Sequence, residues 1–478
     1  MTAKLYLETL GCQMNVLDSE LVVGALKRQG YVLTTESSEA DVILFNTCSI
    51  REHAEEKVYS ALGTLKAWKR EKPDAVLGVL GCMAQKDQEG VFKRAPHVDL
   101  VCGPGALPEI PELVEQVKRT RIRATSFSLG RKEAPRREVE QSFASWDPDR
   151  DPEMRTNPFQ ALVRVQLGCD KFCTYCIVPS VRGPEQGRSP DEIVEECVKL
   201  ADQGVVEITL IGQTVNSYRH GSTRLSDLLA RVDPIAGLAR IKFVTNFPND
   251  MTDDLLQAVR DLPKVSPYLH VPPQSGSDAV LARMKRHYSR AQYDEMVARI
   301  RETVPGASIS GDFIVGFCGE TDEAFAKTCD LVRESRFKNS FIYQYSPRPG
   351  TKAFGDLPDD VPEEVKKRRN NDLLAVQSEV SRIDHRRFVG TTVEVLVEGP
   401  SKLSRAHGAT GDTMQLSGRT ATDHIAVFDG PPSLAGRLVR VVVADASTLT
   451  LFGSVEGQPL TAAPRLAPRP PASLRVVT

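Results

Sequence analysis

The feature that most limits the fold of this chain is a repeated alternation of strand-like and helical segments between Pro158 and about Tyr345. Six β-rich runs occur there, each followed by a helical pattern: QALVRVQL, VEITLIG, RIKFVTN, VSPYLHV, ASISGDFIVG and SFIYQY. Parallel strands need a crossover, usually a helix, so repeated βα units predict a parallel sheet. Six units are fewer than the eight of a complete (β/α)8 barrel, and we predict a partial (β/α)6 barrel.

The same alternation occupies the start of the chain. The runs LYLETL, DVILFNT and AVLGVLG are separated by helical patterns near Ser19 to Gln29 and Glu52 to Lys69. They predict an N-terminal open parallel α/β domain over residues 1–120. Beyond Val389 the pattern changes to short strands with Gly, Pro and Asp between them, which predicts a small antiparallel β-barrel over residues 389–456.

Two charged stretches mark the first domain boundary. From Gln116 to Arg137 eight Lys or Arg residues stand against Glu133 alone, and DPDRDPE follows at 147–153. Prolines and dense charge exclude a helix interior or a central strand, so we predict a basic and acidic linker over 121–154. The barrel domain then covers 155–388. The Pro- and Ala-rich residues 457–478 predict a disordered tail.

The overall composition restricts location and partners. With 61 basic and 63 acidic residues the net charge is −2, so any nucleic-acid site must be a local patch. No apolar run approaches the roughly 20 residues of a membrane helix, and we expect a cytoplasmic protein. Ten cysteines are few for a disulfide scaffold of this length. In a reducing compartment they favour metal ligation.

The strongest local signal is the C-x3-C-x2-C run formed by Cys169, Cys173 and Cys176 directly after the first barrel strand. Three soft thiolates at this spacing can hold one iron–sulfur cluster and leave one iron open to a substrate. The alternative is a structural zinc site, which needs four closed ligands. No fourth ligand lies nearby in the sequence, which favours the cluster.

A second set of cysteines is spread over the first domain. Cys12, Cys48 and Cys82 each directly follow an apolar strand, at separations of 36 and 34 residues. The carboxyl ends of parallel strands lie on one edge of a sheet, where open α/β folds bind ligands, so the three thiols should converge. The alternative is that they are small buried hydrophobic residues. Cys102 follows the run VDLV and offers a further alternative, a fourth ligand that closes the site.

The pattern of Cys169, Cys173, Tyr175 and Cys176 resembles that of the radical S-adenosylmethionine superfamily. With the second cysteine triad and the terminal β-barrel, residues 4 to about 455 resemble the methylthiotransferases of that superfamily. Longer stretches resemble the members that modify isopentenylated tRNA: LGCQMNVLDSE, FNTCSIREHAEEKVYSALG, LIGQTVNSY, VSPYLHVPPQSGS and YSPRPGTKA.

The resemblance implies a transferase that methylthiolates carbon 2 of N(6)-dimethylallyladenosine at position 37 of tRNA. It implies two 4Fe-4S clusters, an auxiliary one on Cys12, Cys48 and Cys82, and one on Cys169, Cys173 and Cys176. One S-adenosylmethionine would supply methyl to a sulfur on the auxiliary cluster, and a second would supply the 5′-deoxyadenosyl radical. The implied partners are this tRNA, bound in part by a TRAM-like terminal domain, and an electron donor such as flavodoxin or ferredoxin. We expect a monomer.

Polar residues at the carboxyl ends of the barrel strands are candidates for cofactor contacts. They are Gln213, Asn216, Gln274, Ser275 and Glu320. Turn chemistry explains the Ser and Gly residues there nearly as well. We expect no catalytic side chain beyond the cluster ligands, because radical hydrogen abstraction needs no general base.

Three other functions remain open from the sequence. Sister enzymes methylthiolate threonylcarbamoyl-adenosine in tRNA or an aspartate of a ribosomal protein, although YSPRPGT and AEEKVYSALG favour the isopentenyl-adenosine enzyme. A protein of a different class would bind RNA and sense iron or oxygen without catalysis. The intact C-x3-C-x2-C run on a barrel strand argues against that sensor.

Overall fold

The computed structural model describes residues 2–49, 52–130, 133–143, 150, 152–155, 157–406, 408 and 411–457. The first domain is one sheet of six parallel strands flanked by helices, with the strand order β2-β1-β3-β4-β5-β6. The strands are β1 (Lys4–Leu10), β2 (Val32–Leu33), β3 (Val42–Thr47), β4 (Val76–Gly81), β5 (Leu100–Cys102) and β6 (Ala124–Ser126). The helices are α1 (Gln13–Arg28), α2 (Glu52–Thr64), α3 (Lys66–Glu71), α4 (Cys82–Asp87), α5 (Gly90–Arg94), α6 (Ile110–Thr120) and α7 (Arg136–Phe143).

The sequence predicted a single helix near Glu52 to Lys69, whereas the structure divides this segment into α2 and α3. Thr64 ends the first helix, and its hydroxyl donates a hydrogen bond back to the Ala61 carbonyl at 2.8 Å. Such a bond competes with the regular helical ladder, which gives the break a local cause.

The central domain contains the six parallel strands that the βα pattern predicted. They are β7 (Gln160–Arg164), β10 (Glu207–Ile211), β13 (Arg240–Phe243), β14 (Tyr268–His270), β15 (Ser308–Val315) and β16 (Asn339–Gln344). Two three-stranded halves, β13-β10-β7 and β14-β15-β16, are joined by a parallel bridge between Ile241 and Val265. Among the described strands β7 does not pair with β16, so the predicted partial barrel is confirmed.

Short elements complete the central domain. Two small antiparallel pairs are β8 (Gln166–Leu167) with β9 (Gln186–Gly187) and β11 (Arg219–His220) with β12 (Thr223–Arg224). The helices are α8 (Val178–Val181), α9 (Pro190–Asp202), α10 (Leu225–Val232), α11 (Asp253–Asp261), α12 (Asp278–Arg283), α13 (Arg290–Thr303), α14 (Asp322–Ser335), α15 (Lys352–Asp356) and α16 (Glu363–Arg386). The predicted strand QALVRVQL is therefore split, because its end turns away to pair with β9.

The terminal domain is a closed five-stranded barrel in the order β17-β18-β19-β21-β20. Its elements are β17 (Thr392–Pro400), α17 (Lys402–Ala406), β18 (Met414–Thr420), β19 (Ile425–Gly430), β20 (Leu438–Ala446) and β21 (Thr450–Val455). The predicted antiparallel pairing holds for four pairs, but β19 and β21 are parallel because β21 inserts between β19 and β20. The predicted domain limits stay predictions, and the predicted tail lies outside the described residues from 458 onward.

The terminal barrel closes the amino end of the central barrel. The turn between β18 and β19 presents Asp423, whose carboxylate pairs with Lys338 at 2.9 Å and Lys242 at 3.1 Å. Burial alone would raise the pKa of Asp423, but the two ammonium groups hold this pKa well below its usual range. Arg240, at the start of β13, donates to the carbonyls of Arg419 and Thr420. A charged turn therefore plugs the end of the barrel opposite the cysteines.

The first domain docks on the barrel through α1. Met14, Leu17 and Leu21 on this helix form a buried apolar cluster with Leu167 and Ile211 of the barrel. A buried charged cluster lies beside this apolar cluster, because Asp18 is fully buried between two arginines of the barrel domain. Within the part of the chain that the structure describes, no helix is both long and apolar enough to cross a bilayer.

Candidate iron–sulfur sites

The register of the first sheet sets the positions of three predicted ligands. Leu10 at the end of β1 pairs with Thr47 of β3, and Thr47 pairs with Gly81 of β4, so the three strands end level with one another. Cys12, Cys48 and Cys82 follow these ends. Because their strands are neighbours in the sheet, the three cysteines lie along one edge, although 36 and 34 residues separate them in the chain.

Contacts within this first-domain triad tie Cys12 to Cys48. A hydrogen bond from the Cys48 thiol is the main reason that the pKa of Cys12 is lowered to about 6. Cys12 directly precedes α1, and its backbone N–H donates to Asn15 Oδ1 at 3.3 Å. The Asn15 amide in turn donates to Asn46 Oδ1 at 3.0 Å, which connects the Cys12 loop to strand β3.

The third member of the triad, Cys82, contacts the barrel domain. Arg182 Nε donates to Cys82 Sγ at 3.2 Å, and Arg182 Nη2 donates to Asp18 at 2.7 Å. Gly81, just before Cys82, has φ +89°, a region that favours glycine. A Cβ there would meet Asn46 Oδ1 at 2.5 Å and the Thr47 carbonyl at 2.7 Å, so the approach of the strands at this edge requires glycine.

Cys102, the possible fourth ligand, occupies a different level of the sheet. It pairs with Leu80, two residues before Cys82, and it is fully buried in an apolar cluster with Leu5, Val22 and Leu100. Burial raises the pKa of the Cys102 thiol, and its Sγ contacts the Gly103 carbonyl at 3.5 Å. Core packing therefore accounts for this cysteine without a metal.

The barrel triad lies in one loop at the carboxyl end of the first strand. Gly168 adopts φ +70°, and a Cβ there would overlap the carbonyl oxygen of Pro184. The loop is held by a hydrogen bond from Cys169 N–H to the Gly183 carbonyl at 3.2 Å. Burial raises the pKa of Cys169 to about 11 and that of Cys176 further. Three thiols thus share one partly enclosed loop.

A buried arginine also contacts this barrel triad. Arg286 Nη1 donates to Cys173 Sγ at 3.4 Å, while Nη2 donates to the Pro272 carbonyl at 3.0 Å and Nε to the Tyr288 hydroxyl at 2.9 Å. Its guanidinium also lies over the Phe247 ring, 4.7 Å from the centroid. A fixed positive charge therefore stands beside the loop that would hold an anionic group.

One short segment connects the two triads. Ile177 and Val181 follow Cys176 directly in the chain and form a buried cluster with Cys82 of the first domain. Arg182 ends the same segment. The barrel triad and the first-domain triad are therefore neighbours across the domain interface, separated by one turn of helix and its flanks.

The donor set fits iron–sulfur clusters better than single zinc ions. A tetrahedral zinc ion with Zn–S bonds of about 2.3 Å would bring its thiolates to within about 4 Å of one another. In the described residues the only three ligand atoms within 4.8 Å of one another belong to Asp384, His385 and His424, so neither triad has this compact spacing. In the first-domain triad Cys12 and Cys48 are hydrogen-bonded to each other, but the three thiols together do not reach this compact spacing. Three soft thiolates without a fourth ligand suit a cluster and leave one iron open.

The predicted cofactor contacts differ in how fully their side chains are used. Both ends of the Asn216 amide bond to the Phe247 backbone, at 2.8 and 2.7 Å. Glu320 accepts from Gly316 N–H and Arg369 through Oε2, while its buried Oε1 has no hydrogen-bond partner within the structure described. The same holds for Gln213 Oε1.

Two further predicted contacts lie on the loop after β14. Gln274 is buried with φ +68° and bridges to Phe313 of β15, and Ser275 bonds to Thr328 at 3.3 Å. These bonds hold the loop in place whether or not a cofactor binds. Cofactor contact by all five residues stays a prediction.

A polar cleft of about 250 Å³ opens beside the barrel triad. Its lining residues are Arg136, Gln166, Asp170, Lys171, Glu185, Gly187 and Arg219. Arg136 belongs to the predicted basic stretch and reaches Asp170 at 3.0 Å. Elsewhere in that stretch Arg121 pairs with Asp74 of the first domain, and residues 131 and 132 lie outside the described residues. The basic stretch thus supplies one side chain to the mouth of the site.

The four consecutive basic residues at the start of α16, Lys366 to Arg369, are only half exposed. Lys366 is fully buried and pairs with Asp359 at 2.8 Å, and Arg369 is buried against Glu320. Lys367 and Arg368 remain exposed. The cause is the helical period, which turns residues three apart toward the barrel. Only the two exposed residues can reach a phosphate.

The sequence reasoning missed Asp18, Arg182 and Arg286. Asp18 and Arg182 each stand six residues after a predicted ligand, Cys12 and Cys176. Arg182 nevertheless contacts Cys82, 100 residues away in the chain, and Arg286 contacts Cys173, 113 residues away. Nothing in a sequence distinguishes a buried arginine from an exposed one. The proximity of Asp18 and Arg182 to predicted ligands was the available signal.

Comparison with known proteins gives three family matches along the chain. Residues 4–103 match an uncharacterized protein family, UPF0004, residues 163–332 match the radical SAM superfamily, and residues 386–455 match the TRAM domain. The solved radical S-adenosylmethionine methyltransferase TsrM from Kitasatospora setae has a similar fold, with a TM-score of 0.56 at 14% identity. That match covers 74% of this chain and 75% of TsrM.

Curated relatives match nearly the whole chain. The tRNA-2-methylthio-N(6)-dimethylallyladenosine synthase of Rhodopirellula baltica is 58% identical over 460 residues, which cover 95% of this chain and 96% of the relative. The protein of the same name from Moorella thermoacetica is 43% identical, with 94% and 97% covered. The radical SAM match supports an iron–sulfur cluster and S-adenosylmethionine as cofactors. The chain therefore belongs to the family of tRNA-2-methylthio-N(6)-dimethylallyladenosine synthases and is a radical SAM transferase with a terminal TRAM domain.

Proposed function

We propose that the protein methylthiolates carbon 2 of N(6)-dimethylallyladenosine at position 37 of tRNA, with two molecules of S-adenosylmethionine and a sulfur held at the first-domain triad. The observation that carries this proposal is the level ending of β1, β3 and β4, which lines up Cys12, Cys48 and Cys82 next to the segment that follows the barrel triad. Sulfur transfer to a carbon radical needs two such sites close together.

The two triads have different tasks in this proposal. When bound, the cluster on Cys169, Cys173 and Cys176 would supply the electron that cleaves S-adenosylmethionine, and the auxiliary cluster on Cys12, Cys48 and Cys82 would carry the sulfur to be methylated and transferred. The chain's own residues bind, orient and exclude water. The packing of Ile177 and Val181 on Cys82 would shield one side of the space between the triads from water, whereas Cys12 lies on the exposed side.

The cofactor-binding residues proposed for S-adenosylmethionine remain Gln213, Asn216, Gln274, Ser275 and Glu320. Gln213 and Glu320 are the better supported pair, because each keeps a buried oxygen without a partner in the described structure. A cofactor amino group can donate to such an acceptor, which otherwise carries a desolvation cost of about 1–3 kcal/mol. Asn216 would act by fixing the Phe247 backbone.

The tRNA would approach the carboxyl end of the barrel. Arg136, Lys171 and Arg219 around the polar cleft offer donors to phosphate oxygens, which supply most of the affinity in protein–nucleic acid contacts. The TRAM domain would add a second contact. We also propose that the protein is a cytoplasmic monomer that receives electrons from a flavodoxin or ferredoxin.

The experiment is nucleoside mass spectrometry after the reconstituted, reduced protein has been incubated anaerobically with S-adenosylmethionine and isopentenylated tRNA. Parallel reactions contain tRNA with threonylcarbamoyl-adenosine, or the ribosomal protein whose aspartate a sister enzyme modifies, which is analysed by peptide mass spectrometry. We expect a methylthio mass increase in the isopentenylated tRNA alone. An increase in either other substrate assigns the protein to a sister function, and absence of 5′-deoxyadenosine favours an iron–sulfur sensor.

Matched cysteine variants separate the two triads. Cys173→Ala should abolish both 5′-deoxyadenosine and the modified nucleoside, whereas Cys12→Ala should abolish the nucleoside and leave uncoupled cofactor cleavage. Cys102→Ala and Cys197→Ala serve as controls, because both thiols are buried away from the triads and should leave the reaction intact. Loss of activity in Cys102→Ala would revive it as a fourth ligand.

A further inference from the structure

Arg182 is buried between the first domain and the barrel domain, where it shares the carboxylate of Asp18 with a second arginine. Its side chain is 2% exposed, and its Nη2 pairs with Asp18 Oδ2 at 2.7 Å. The other oxygen of the same carboxylate, Oδ1, accepts from Arg164 at 2.9 Å. One buried carboxylate therefore faces two guanidinium groups, so Asp18 alone cannot neutralise Arg182.

The remaining donors of Arg182 point to sulfur chemistry. Its Nε donates to Cys82 Sγ at 3.2 Å, and the charges that act on the guanidinium come from Asp18, Cys82 and Cys12. Its Nη1 is buried and has no hydrogen-bond partner among the described residues. A charged donor that is buried without an acceptor is costly, and a bound partner is one explanation for such a group in a native protein.

The guanidinium group is planar and rigid, so the unpaired Nη1 lies in the same plane as the Nε that contacts Cys82. Nη1 lies on the edge of this plane away from the Nε–H, so its acceptor must be an atom other than the Cys82 sulfur. Iron–sulfur clusters offer anionic sulfur atoms as acceptors, and hydrogen bonds to those atoms are among the factors that set a cluster's reduction potential. No side chain or backbone group of the described residues supplies an acceptor for Nη1.

We propose that Arg182 is a positioning residue for the auxiliary cluster: it orients Cys82 through Nε, donates to a cluster sulfur through Nη1, and raises the cluster's reduction potential. This inference rests on the proposed function, because it requires the auxiliary cluster. A positive charge and N–H···S hydrogen bonds both stabilise the more negative, reduced form of a cluster. The barrel domain would thus tune a site whose thiolates all come from the first domain.

The test uses full-length protein with Cys169, Cys173 and Cys176 replaced by Ala, so that it holds the auxiliary cluster alone. Its midpoint potential is measured by a redox titration followed by electron paramagnetic resonance. We expect Arg182→Gln to lower the potential by a tenfold or larger shift in the reduction equilibrium, which is about 59 mV for a one-electron couple. Arg182→Lys keeps the positive charge but loses the planar guanidinium group, so its midpoint potential should lie between those of Arg182→Gln and the parent protein.

The matched control is Arg150→Gln in the same background. Arg150 is also an arginine buried at this interface, 1% exposed, but its hydrogen bonds go to Glu20, Glu196 and the Leu162 carbonyl. We expect its potential to match that of the parent protein. An equal shift in both variants would overturn the proposal, since the effect would then belong to the interface rather than to sulfur contacts.

Iron and sulfide analysis separates the possible failures. If the parent triple variant holds no cluster, the auxiliary-cluster part of the proposed function fails. If it holds one and Arg182→Gln leaves the potential unchanged, only the role of Arg182 fails. Loss of the cluster from Arg182→Gln with retention in Arg150→Gln supports the positioning role, whereas loss from both contradicts it.

Discussion

The two cysteine triads reach similar donor sets by opposite routes. The barrel triad lies within eight residues of one loop, whereas the first-domain triad is assembled from the ends of three strands. The barrel triad depends on the local backbone geometry at Gly168, and the first-domain triad depends on the register of a whole sheet. The difference teaches that a short motif reports a local site, while a dispersed site exists only once the sheet has formed.

The largest expected effects come from the glycines that precede a cysteine in each triad. Gly168→Ala and Gly81→Ala each place a Cβ against a neighbouring backbone carbonyl at positive φ. The backbone conformation alone costs about 1–3 kcal/mol, and the overlap adds to it. We expect Gly168→Ala to remove the barrel cluster and Gly81→Ala to remove the auxiliary cluster, as measured by iron and sulfide content and by 5′-deoxyadenosine formation.

Controls for these glycines carry the same backbone strain without the overlap. Gly204 in the barrel domain and Gly30 in the first domain have φ +88° and +89°, and a Cβ at either meets no atom within 4 Å. Both should keep their clusters when changed to Ala. Cluster loss in these controls would show that positive φ, rather than close approach at the triads, is the limiting factor.

The next effect compares the two buried arginines. Arg286 donates to Cys173, two aromatic hydroxyls and a carbonyl. Unlike Arg182, it bonds to no carboxylate among the described residues. Arg286→Gln leaves buried acceptors unpaired, which costs about 1–3 kcal/mol. In protein with Cys12, Cys48 and Cys82 changed to Ala, we expect a lower potential of the barrel cluster and slower 5′-deoxyadenosine formation.

The outcome of that experiment is read against Arg286→Lys. Because lysine keeps the positive charge but lacks the planar fork of arginine, the reduction potential of the barrel cluster in Arg286→Lys should lie between those of Arg286→Gln and the parent protein. If Arg286→Gln shifts the melting temperature but not the potential, this arginine is structural, and the parallel between the two triads breaks.

A smaller effect is expected at Asn46, which holds strand β3 against the helix that follows Cys12 in the first-domain triad. Asn46 is fully buried and links the Asn15 carbonyl at 2.9 Å and the Ser19 hydroxyl at 3.0 Å. Asn46→Ala leaves these groups unsatisfied and should destabilise the first domain by about 1–3 kcal/mol. The denaturant midpoint for loss of the auxiliary cluster should fall, while that of the barrel cluster stays constant.

Asn249→Ala provides the comparison for this amide, since its bond to the His287 carbonyl at 2.8 Å is exposed. It should change neither midpoint by a measurable amount. A shift of both midpoints in Asn46→Ala would mean that the two domains unfold together. The barrel triad and the first-domain triad would then differ in how they are assembled but not in how stable they are.

The smallest effect concerns the reactivity of the cluster-free thiols. The hydrogen bond from Cys48 lowers the pKa of Cys12 to about 6, whereas burial raises the pKa of Cys176. Iodoacetamide reacts with thiolates, so Cys12 should be alkylated first at pH 7. Its rate should fall about tenfold per pH unit below pH 6, which peptide mass spectrometry measures. Faster labelling of Cys176 would reverse the expected order.

The sequence predicted the architecture because periodicity is a local property. Each of the six strand-like runs from QALVRVQL to SFIYQY corresponds to a barrel strand, and the terminal runs correspond to β17 through β21. The parallel pairing of β19 with β21 was missed, since strand direction depends on which strands become neighbours after the chain has folded. The helix break after Thr64 was missed because it depends on one hydrogen bond from the Thr64 hydroxyl to the Ala61 carbonyl, which periodicity does not report.

Candidate ligands could be chosen from spacing, but their surroundings could not. The position of Cys12, Cys48 and Cys82 after strands was visible in the sequence, while the burial of Arg182 between Asp18 and Cys82 joins residues from three distant segments. Charged residues are usually exposed, and no pattern in the sequence indicated that Arg182 and Arg286 are buried. Whether the six cysteines ligate iron stays a prediction.

The turn that carries Asp423 at the amino end of the barrel has a mechanical consequence. Asp423 pairs with Lys242 and Lys338 from two different strands, so the terminal domain cannot rotate without separating buried opposite charges. These ion pairs hold the terminal domain in one orientation on the barrel. A tRNA that contacted both the terminal domain and the opposite barrel mouth would have to span the distance between them, and this distance would then be a criterion by which substrates are accepted.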